Sequence, residues 1–324
     1  MSIDVAAAQP RPVAAMPYVH HGAVGEVFLI FLRNLALNIL TFGFYRFWAR
    51  TRLRHYFWSQ SEMFGDRFEY DGRGLELFLG FLFIAFIVLL PIGATYNVIA
   101  TFASTDEVTQ IWLSVVGYIG FFTLIGIATY RARGYRLSRT RWRGIRLFQV
   151  GNEFVYGPMF LLLFTLQLIT LGWATPFANT WLERYRIRHT YLGSERFSFD
   201  GRARHLYGRF AVGWLLALFT FGLGYFFYKA REIAYFAERT HVAGISFRFQ
   251  VSALRLCGFW LLNMLILIVT LSLGYPFVQL RTARFVSEHL SIVGEPGFAN
   301  IQQVPADMPV LGEGLADAFD MDGM

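Results

Sequence analysis

The side chains able to do chemistry are few and badly spaced for catalysis. Seven histidines occur, at His20, His21, His55, His189, His205, His241 and His289. No two sit one helical turn apart beside a glutamate, the arrangement that puts two imidazoles and a base around one zinc ion. His189 and His289 fall, at intervals of fifty residues, where Arg139 and Arg239 also fall, so they read as interfacial bases and no metal site is expected. Asp66, Glu69, Asp71 and Glu76 lie close together, but a solvated, salt-bridged loop accounts for them. There is no Gly-x-Ser-x-Gly elbow, no phosphate-cradling glycine loop and no carboxylate pair inside an apolar run. The expectation is therefore a protein that is not an enzyme, with no cofactor.

Polar residues inside apolar stretches are the stronger signal. Asn34 and Asn38 are one turn apart on one predicted helix, Asn97 lies in a second apolar stretch, and Asn263 precedes Thr270 by the seven residues that separate Asn34 from Thr41. An amide without a partner in hydrocarbon costs a few kcal/mol, so these four either bind helices together or line a path for a ligand. A row of arginines, Arg52, Arg131, Arg231 and Arg281, shares one register. It can set topology or hold anionic lipid headgroups.

The elements that carry these residues are apolar. Of 324 residues, 55% are hydrophobic and 18% aromatic, only 16% are charged, and the mean hydropathy is +0.42. Soluble domains average about 25% charged residues. Apolar stretches cover approximately residues 27–48, 77–102, 110–130, 155–181, 206–228 and 256–280, close to the roughly twenty residues that span a bilayer core. Residues 1–17 read as a disordered tail and 297–324 as an acidic one, flanking a membrane domain over 18–296. Cys257 stands alone and reads as a small apolar side chain.

The chain repeats itself. Thr170, Thr220 and Thr270 are fifty residues apart and are followed by Gly172, Gly222 and Ser272; a shift of 79 aligns an earlier copy, so that Arg52 falls on Arg131 and Gly65 on Gly144. Five degenerate copies of about fifty residues result, one of them interrupted by the second apolar stretch. In each, an apolar helix meets a helix breaker: Thr41 with Gly43, Thr170 with Gly172, Thr220 with Gly222, and Thr270. A basic aromatic helix suited to the headgroup layer follows. Phe68-x-Tyr70, Phe197-x-Phe199 and Phe247-x-Phe249 then alternate with period two, the mark of short hairpin-like strands.

Charge bears on topology. Residues 131–154 carry seven arginines and one acid, 181–209 seven arginines and three acids, and 229–255 five bases and two acids. The 102–110 link carries only Asp106 and Glu107. Six single crossings would put the basic loops on alternating sides, against the positive-inside rule. Re-entry at the Thr-x-Gly breaks would keep them on one side. The fold class expected is all-α: about six transmembrane or partly re-entrant helices, with interfacial helices and short β-hairpins.

Leu40-Thr41-Phe-Gly43-Phe-Tyr45-x-x-Trp48, the Arg50/Arg52/Arg54 series, Gly65-x-x-Phe68-x-Tyr70-x-Gly72 and Thr140-Arg-Trp142-Arg-Gly144 resemble the YjgN-like family of bacterial inner-membrane proteins over about residues 18–295. That resemblance implies a multi-pass inner-membrane location and brings no activity or catalytic residues with it. Two functions fit. One is a transporter or channel for a small anionic or amphiphilic molecule, with Asn34, Asn38, Asn97 and Asn263 along its path. The other is a non-catalytic membrane module that binds anionic lipid or docks a partner protein. No nucleic-acid partner is expected, because no soluble basic module is present.

Overall fold

The computed structural model describes residues 16–102, 106–294, 297 and 301–303. Most of the two expected tails lies outside the described residues. After two short strands, β1 (Met16–Pro17) and β2 (Val19–His20), helix α1 (Val24–Leu40) reverses into α2 (Arg46–Ser59), which leads into strands β3 (Ser61–Met63) and β4 (Asp66–Tyr70). An inserted helix follows as α3 (Gly74–Phe83), a π-helical stretch (Ile84–Leu89) and α4 (Leu90–Phe102), and α5 (Glu107–Ser138) returns to β5 (Thr140–Trp142) and β6 (Ile145–Gln149). Then come α6 (Glu153–Ile169), α7 (Thr175–Arg188), β7 (Thr190–Leu192), β8 (Glu195–Arg196) and β9 (Ser198–Phe199). The chain continues through α8 (Arg204–Phe219), α9 (Tyr225–Glu238), β10 (Thr240–Val242) and β11 (Ile245–Phe249), and ends with α10 (Ala253–Val269), α11 (Tyr275–His289) and β12 (Leu290–Val293).

The all-α expectation is overturned. The strands form a five-stranded sheet, β1-β12-β11-β10-β9, and a seven-stranded one, β2-β3-β4-β5-β6-β7-β8. Every pairing is antiparallel. Only Tyr18 separates β1 from β2, and only Phe197 separates β8 from β9. The two sheets therefore share a strand at each end and close into one ring. In β4, Asp66 and Arg67 pair within their own hairpin while Phe68, Glu69 and Tyr70 pair with the next. The strand at 16–20 does the same between β12 and β3, so the two chain ends together make the last hairpin. Closure removes the exposed edges that a sheet otherwise leaves. Short period-two runs look too brief to matter one at a time; pairing in sequence around a ring is what makes them a sheet.

The middle of the ring is packed. Trp142, Leu192, Val242 and Ile292, at fifty-residue intervals, are buried together with Ile245. Tyr18, Met63, Phe68, Leu147, Phe197 and Phe247 pack against them. The indole N–H of Trp142 donates to the carbonyls of Met63 and Asp66 at 3.2 and 3.3 Å, which satisfies the one polar atom of a fully buried ring.

The helix count is corrected as well. Among the described residues, two helical segments, Gly74–Thr101 and Glu107–Ser138, are long and apolar enough to cross a membrane, and little of either is buried. An apolar helix left uncovered has its stable surroundings in lipid and not in water. The other apolar stretches are not single spans. Each divides at its Thr-x-Gly or Thr-x-Ser into two helices, and contacts at matching distances from the turn show two of the pairs to be antiparallel: Asn34 with Ala49, and Gly213 with Tyr228.

Candidate functional site

The turns come first, because they set where everything else lies. The hydroxyls of Thr41, Thr170, Thr220 and Thr270 donate to the carbonyl four residues back, at 2.7, 2.7, 2.6 and 2.6 Å. Each also accepts the backbone N–H four residues on, at 2.9, 3.0, 2.8 and 2.8 Å. One side chain thus ties the end of one helix to the start of the next. The two residues after each threonine are left-handed: Phe42, Leu171, Phe221 and Leu271 have φ of 48 to 50°, while Gly43, Gly172 and Gly222 have 87 to 90° and Ser272 has 67°. Glycine takes that conformation without penalty, which explains the residue type in three of four turns. The tips are apolar and bare: Phe42 is 94% exposed, Leu171 79%, Phe221 103% and Leu271 86%.

The asparagines do not converge. Asn34 and Asn263 are 5% and 7% exposed; Arg52 donates to the Asn34 side-chain oxygen at 3.4 Å, and Arg281 to that of Asn263 at 2.9 Å. They brace outer helix to inner helix in two separate hairpins. Asn97 faces outward and donates to Gly93 of its own helix at 2.8 Å. Asn38 is half-buried, its side-chain oxygen unpartnered, and its backbone carbonyl accepts from Gly43 in the turn at 2.7 Å. The arginine row is likewise engaged within the protein. Arg131 pairs with Glu153 at 2.6 Å, whereas Arg231 reaches Glu238 only at 3.5 Å and lies over the Tyr235 ring.

One polar cluster escaped the sequence reading. Glu232, 1% exposed, accepts hydrogen bonds from Asn179 at 2.7 Å, Tyr228 at 2.5 Å and Lys229 at 2.6 Å. Arg186 pairs with Glu183 at 3.0 Å on the neighbouring α7. The only signal in the sequence was an acid three residues after a lysine; that Asn179 completes the set depends on helix packing. A buried carboxylate with three donors is satisfied, and this one reads as structural.

Two cavities matter. One of about 660 Å³ lies between α2, α11 and the ring, bounded by Phe57, Trp58, Phe68, Tyr275 and Gln279. The other, about 520 Å³, is a cleft between α8, α9 and the start of α10, with Arg209, Arg231, Glu238 and Ser252 on its walls. At the seam where the N-terminal strand closes the ring, His20 is stacked on Phe57 and hydrogen-bonded to Ser61 at 3.2 Å. Burial, then the charges of Arg284 and His21, depress its pKa to about 4. Among the described residues no three His, Cys, Asp or Glu side chains gather as a metal site would require.

An 85-residue segment, 25% of this chain, is 33% identical to the inner membrane protein YjgN of Escherichia coli K12. The YjgN of Escherichia coli O157:H7 matches at 34% over the same length. The match spans 21% of each relative's own length. No solved structure matches. The family model described as bacterial protein of unknown function, DUF898, matches residues 15–227 and again 214–318. With nearly the whole described chain inside that match, the chain belongs to the DUF898 family, whose YjgN-like members are the relatives its motifs resemble.

Proposed function

We propose that this chain is a non-catalytic inner-membrane module, built from five degenerate copies, that seats a closed ring of strands against the cytoplasmic face and binds anionic lipid. The observation that carries this is the set of four bare apolar tips on hairpins whose opposite ends are rich in arginine. An apolar residue in a strained turn, exposed to water, has no stabilising environment; in hydrocarbon it has one. In this reading α3–α4 and α5 cross, and the other four hairpins enter and return.

Depth follows from packing. The Tyr118 hydroxyl meets Thr165 at 3.1 Å and Phe122 stacks on Phe164, so Thr165 is level with about residue 119. Six residues further, Leu171 is about 9 Å deeper, which leaves its tip about 10 Å short of Asp106. All basic segments then lie on one side, in accord with the positive-inside rule. The inner-membrane name of the Escherichia coli relatives supports the location.

The test is lipid selectivity. The protein is reconstituted with spin-labelled phosphatidylglycerol or phosphatidylcholine, and the motionally restricted fraction is measured. Enrichment of phosphatidylglycerol around the protein is expected. Equal restriction of the two lipids would reject the reading. A second reading, movement of a small amphiphile, is favoured by the 660 Å³ cavity, though the ring beyond it is packed with Trp142, Leu192 and Ile292. Uptake of a fluorescent organic anion into liposomes, abolished by Gln279→Leu, would support that reading instead.

A further inference from the structure

The arginine row contains its own control. Two positions can supply a partner to each member: the outer-helix position held by Asn34 and Asn263, and the helix-start position held by Glu153. Arg52 and Arg281 use the first, at 3.4 and 2.9 Å, and Arg131 uses the second, at 2.6 Å. For Arg231 both partners are lost from the sequence, because the equivalent residues are Gly213 and Ala253. What remains is the 3.5 Å contact to Glu238, with both side chains about 40% exposed, and the Tyr235 ring beneath the guanidinium. Here the structure has a cleft of about 520 Å³, where Arg209 joins Arg231 and where Ser252 and Ala253 start α10.

We infer that this cleft binds the phosphate of an anionic lipid headgroup, in the position that the Glu153 carboxylate fills in the equivalent seam. The chemistry fits at each point. Two guanidinium groups offer forked N–H donors to phosphate oxygens. Ser252 and Ala253, at the start of α10, line the cleft, so the seventeen-residue helix sets its positive end beside it; Ser252 already caps the Arg255 N–H at 3.3 Å. Phe227, Ala230 and Phe249 form an apolar wall beside them, suited to the glycerol and first methylenes of an acyl chain. Arg231 is six residues into α9, about 9 Å beyond the turn that carries the Phe221 tip, which is toward headgroup depth if the tips are in hydrocarbon. The inference rests on the proposed seating for that depth only. Glu238 also lines the cleft, and a bound phosphate replaces it as the partner of Arg231.

The test uses the full-length protein, delipidated in detergent, with bound lipids counted by native mass spectrometry during titration with phosphatidylglycerol or phosphatidylcholine. One phosphatidylglycerol is expected to bind at least about tenfold more tightly than any phosphatidylcholine, the difference expected from loss of a charge-assisted contact. Arg209→Gln and Arg231→Gln should each remove that preference. Ala253→Glu should remove it too, while keeping the thermal stability of the parent, because it rebuilds the pair seen between Arg131 and Glu153. If Ala253→Glu does not fold, the two arginine variants decide. Unchanged preference in both would overturn the site. A parallel arm adds inorganic phosphate alone: protection of the cleft by phosphate without lipid, lost in the same variants, keeps the phosphate chemistry but assigns a soluble source. Tips found in water with the preference still lost in the variants would reject the seating and leave the cleft standing.

Discussion

Leu171→Asp tests the depth of the hairpin tips with a magnitude that can be worked out beforehand. Leu171 is 79% exposed. If its tip lies in hydrocarbon about 10 Å short of Asp106, the substitution replaces a favourable leucine with a charge. Transfer costs for aspartate deep in a membrane helix are about 2.5–3.5 kcal/mol, and leucine adds a few tenths. The total is about 3 kcal/mol, or a change of more than a hundredfold in the folding equilibrium. If the tip were in water, the same change would cost at most about 0.5 kcal/mol, as for ordinary surface positions. Denaturant unfolding in lipid nanodiscs, followed by tryptophan fluorescence, reads the difference, with Ser198→Asp on the ring as a control. An effect below about 1 kcal/mol for Leu171→Asp, and likewise for Phe42→Asp, would refute the placement.

Three other outcomes follow from the geometry. Asn263→Leu leaves the Arg281 guanidinium without its 2.9 Å partner and should cost about 1–3 kcal/mol of stability, whereas Asn97→Leu, on the outward face, should stay within about 0.5 kcal/mol in the same unfolding assay. Ser272→Gly relieves a non-glycine residue at φ 67° and should raise stability by up to about 1 kcal/mol, while Gly222→Ala, at φ 90°, should lower it by a similar amount. The pKa of His20 is depressed when folded, to about 4. The closing seam therefore has its full stability above about pH 6.5, the unfolded value, and loses it as pH falls toward 4. Hydrogen exchange at Val19 and Ser61 should accelerate across that window, and His20→Gln should flatten the dependence.

Part of the organisation was legible because the same residue types recur at fixed intervals. Thr41, Thr170, Thr220 and Thr270 marked the turns, and the period-two runs after each glycine marked the strands. The ring was not legible, since strands of two to five residues carry no record of their partners; that the strand around Val19 completes the hairpin of β12 depends on the two ends of the chain meeting. The helix count went wrong because an apolar stretch of about 24 residues satisfies the length of a span whether it runs straight or folds back. Composition does not distinguish the two; four hydrogen-bonded threonines and left-handed turns do. Asn34 and Asn263 stood out in the sequence as amides in apolar stretches, but the groups they meet, Arg52 and Arg281, lie across the reversal. Glu232 was missed because its donors come from two helices.

The measurement that bears most directly on the proposed architecture is cysteine accessibility from outside intact spheroplasts, in a Cys257→Ser background. Cysteines are placed singly at Glu107, beside the acidic link, and at Ser198, Ser246 and Glu62 around the ring. A ring seated wholly on the cytoplasmic side predicts that Glu107→Cys reacts in intact cells with a membrane-impermeant maleimide and that the three ring positions react only after lysis. Reaction of Ser198→Cys or Ser246→Cys in intact cells would place part of the ring outside and contradict the account.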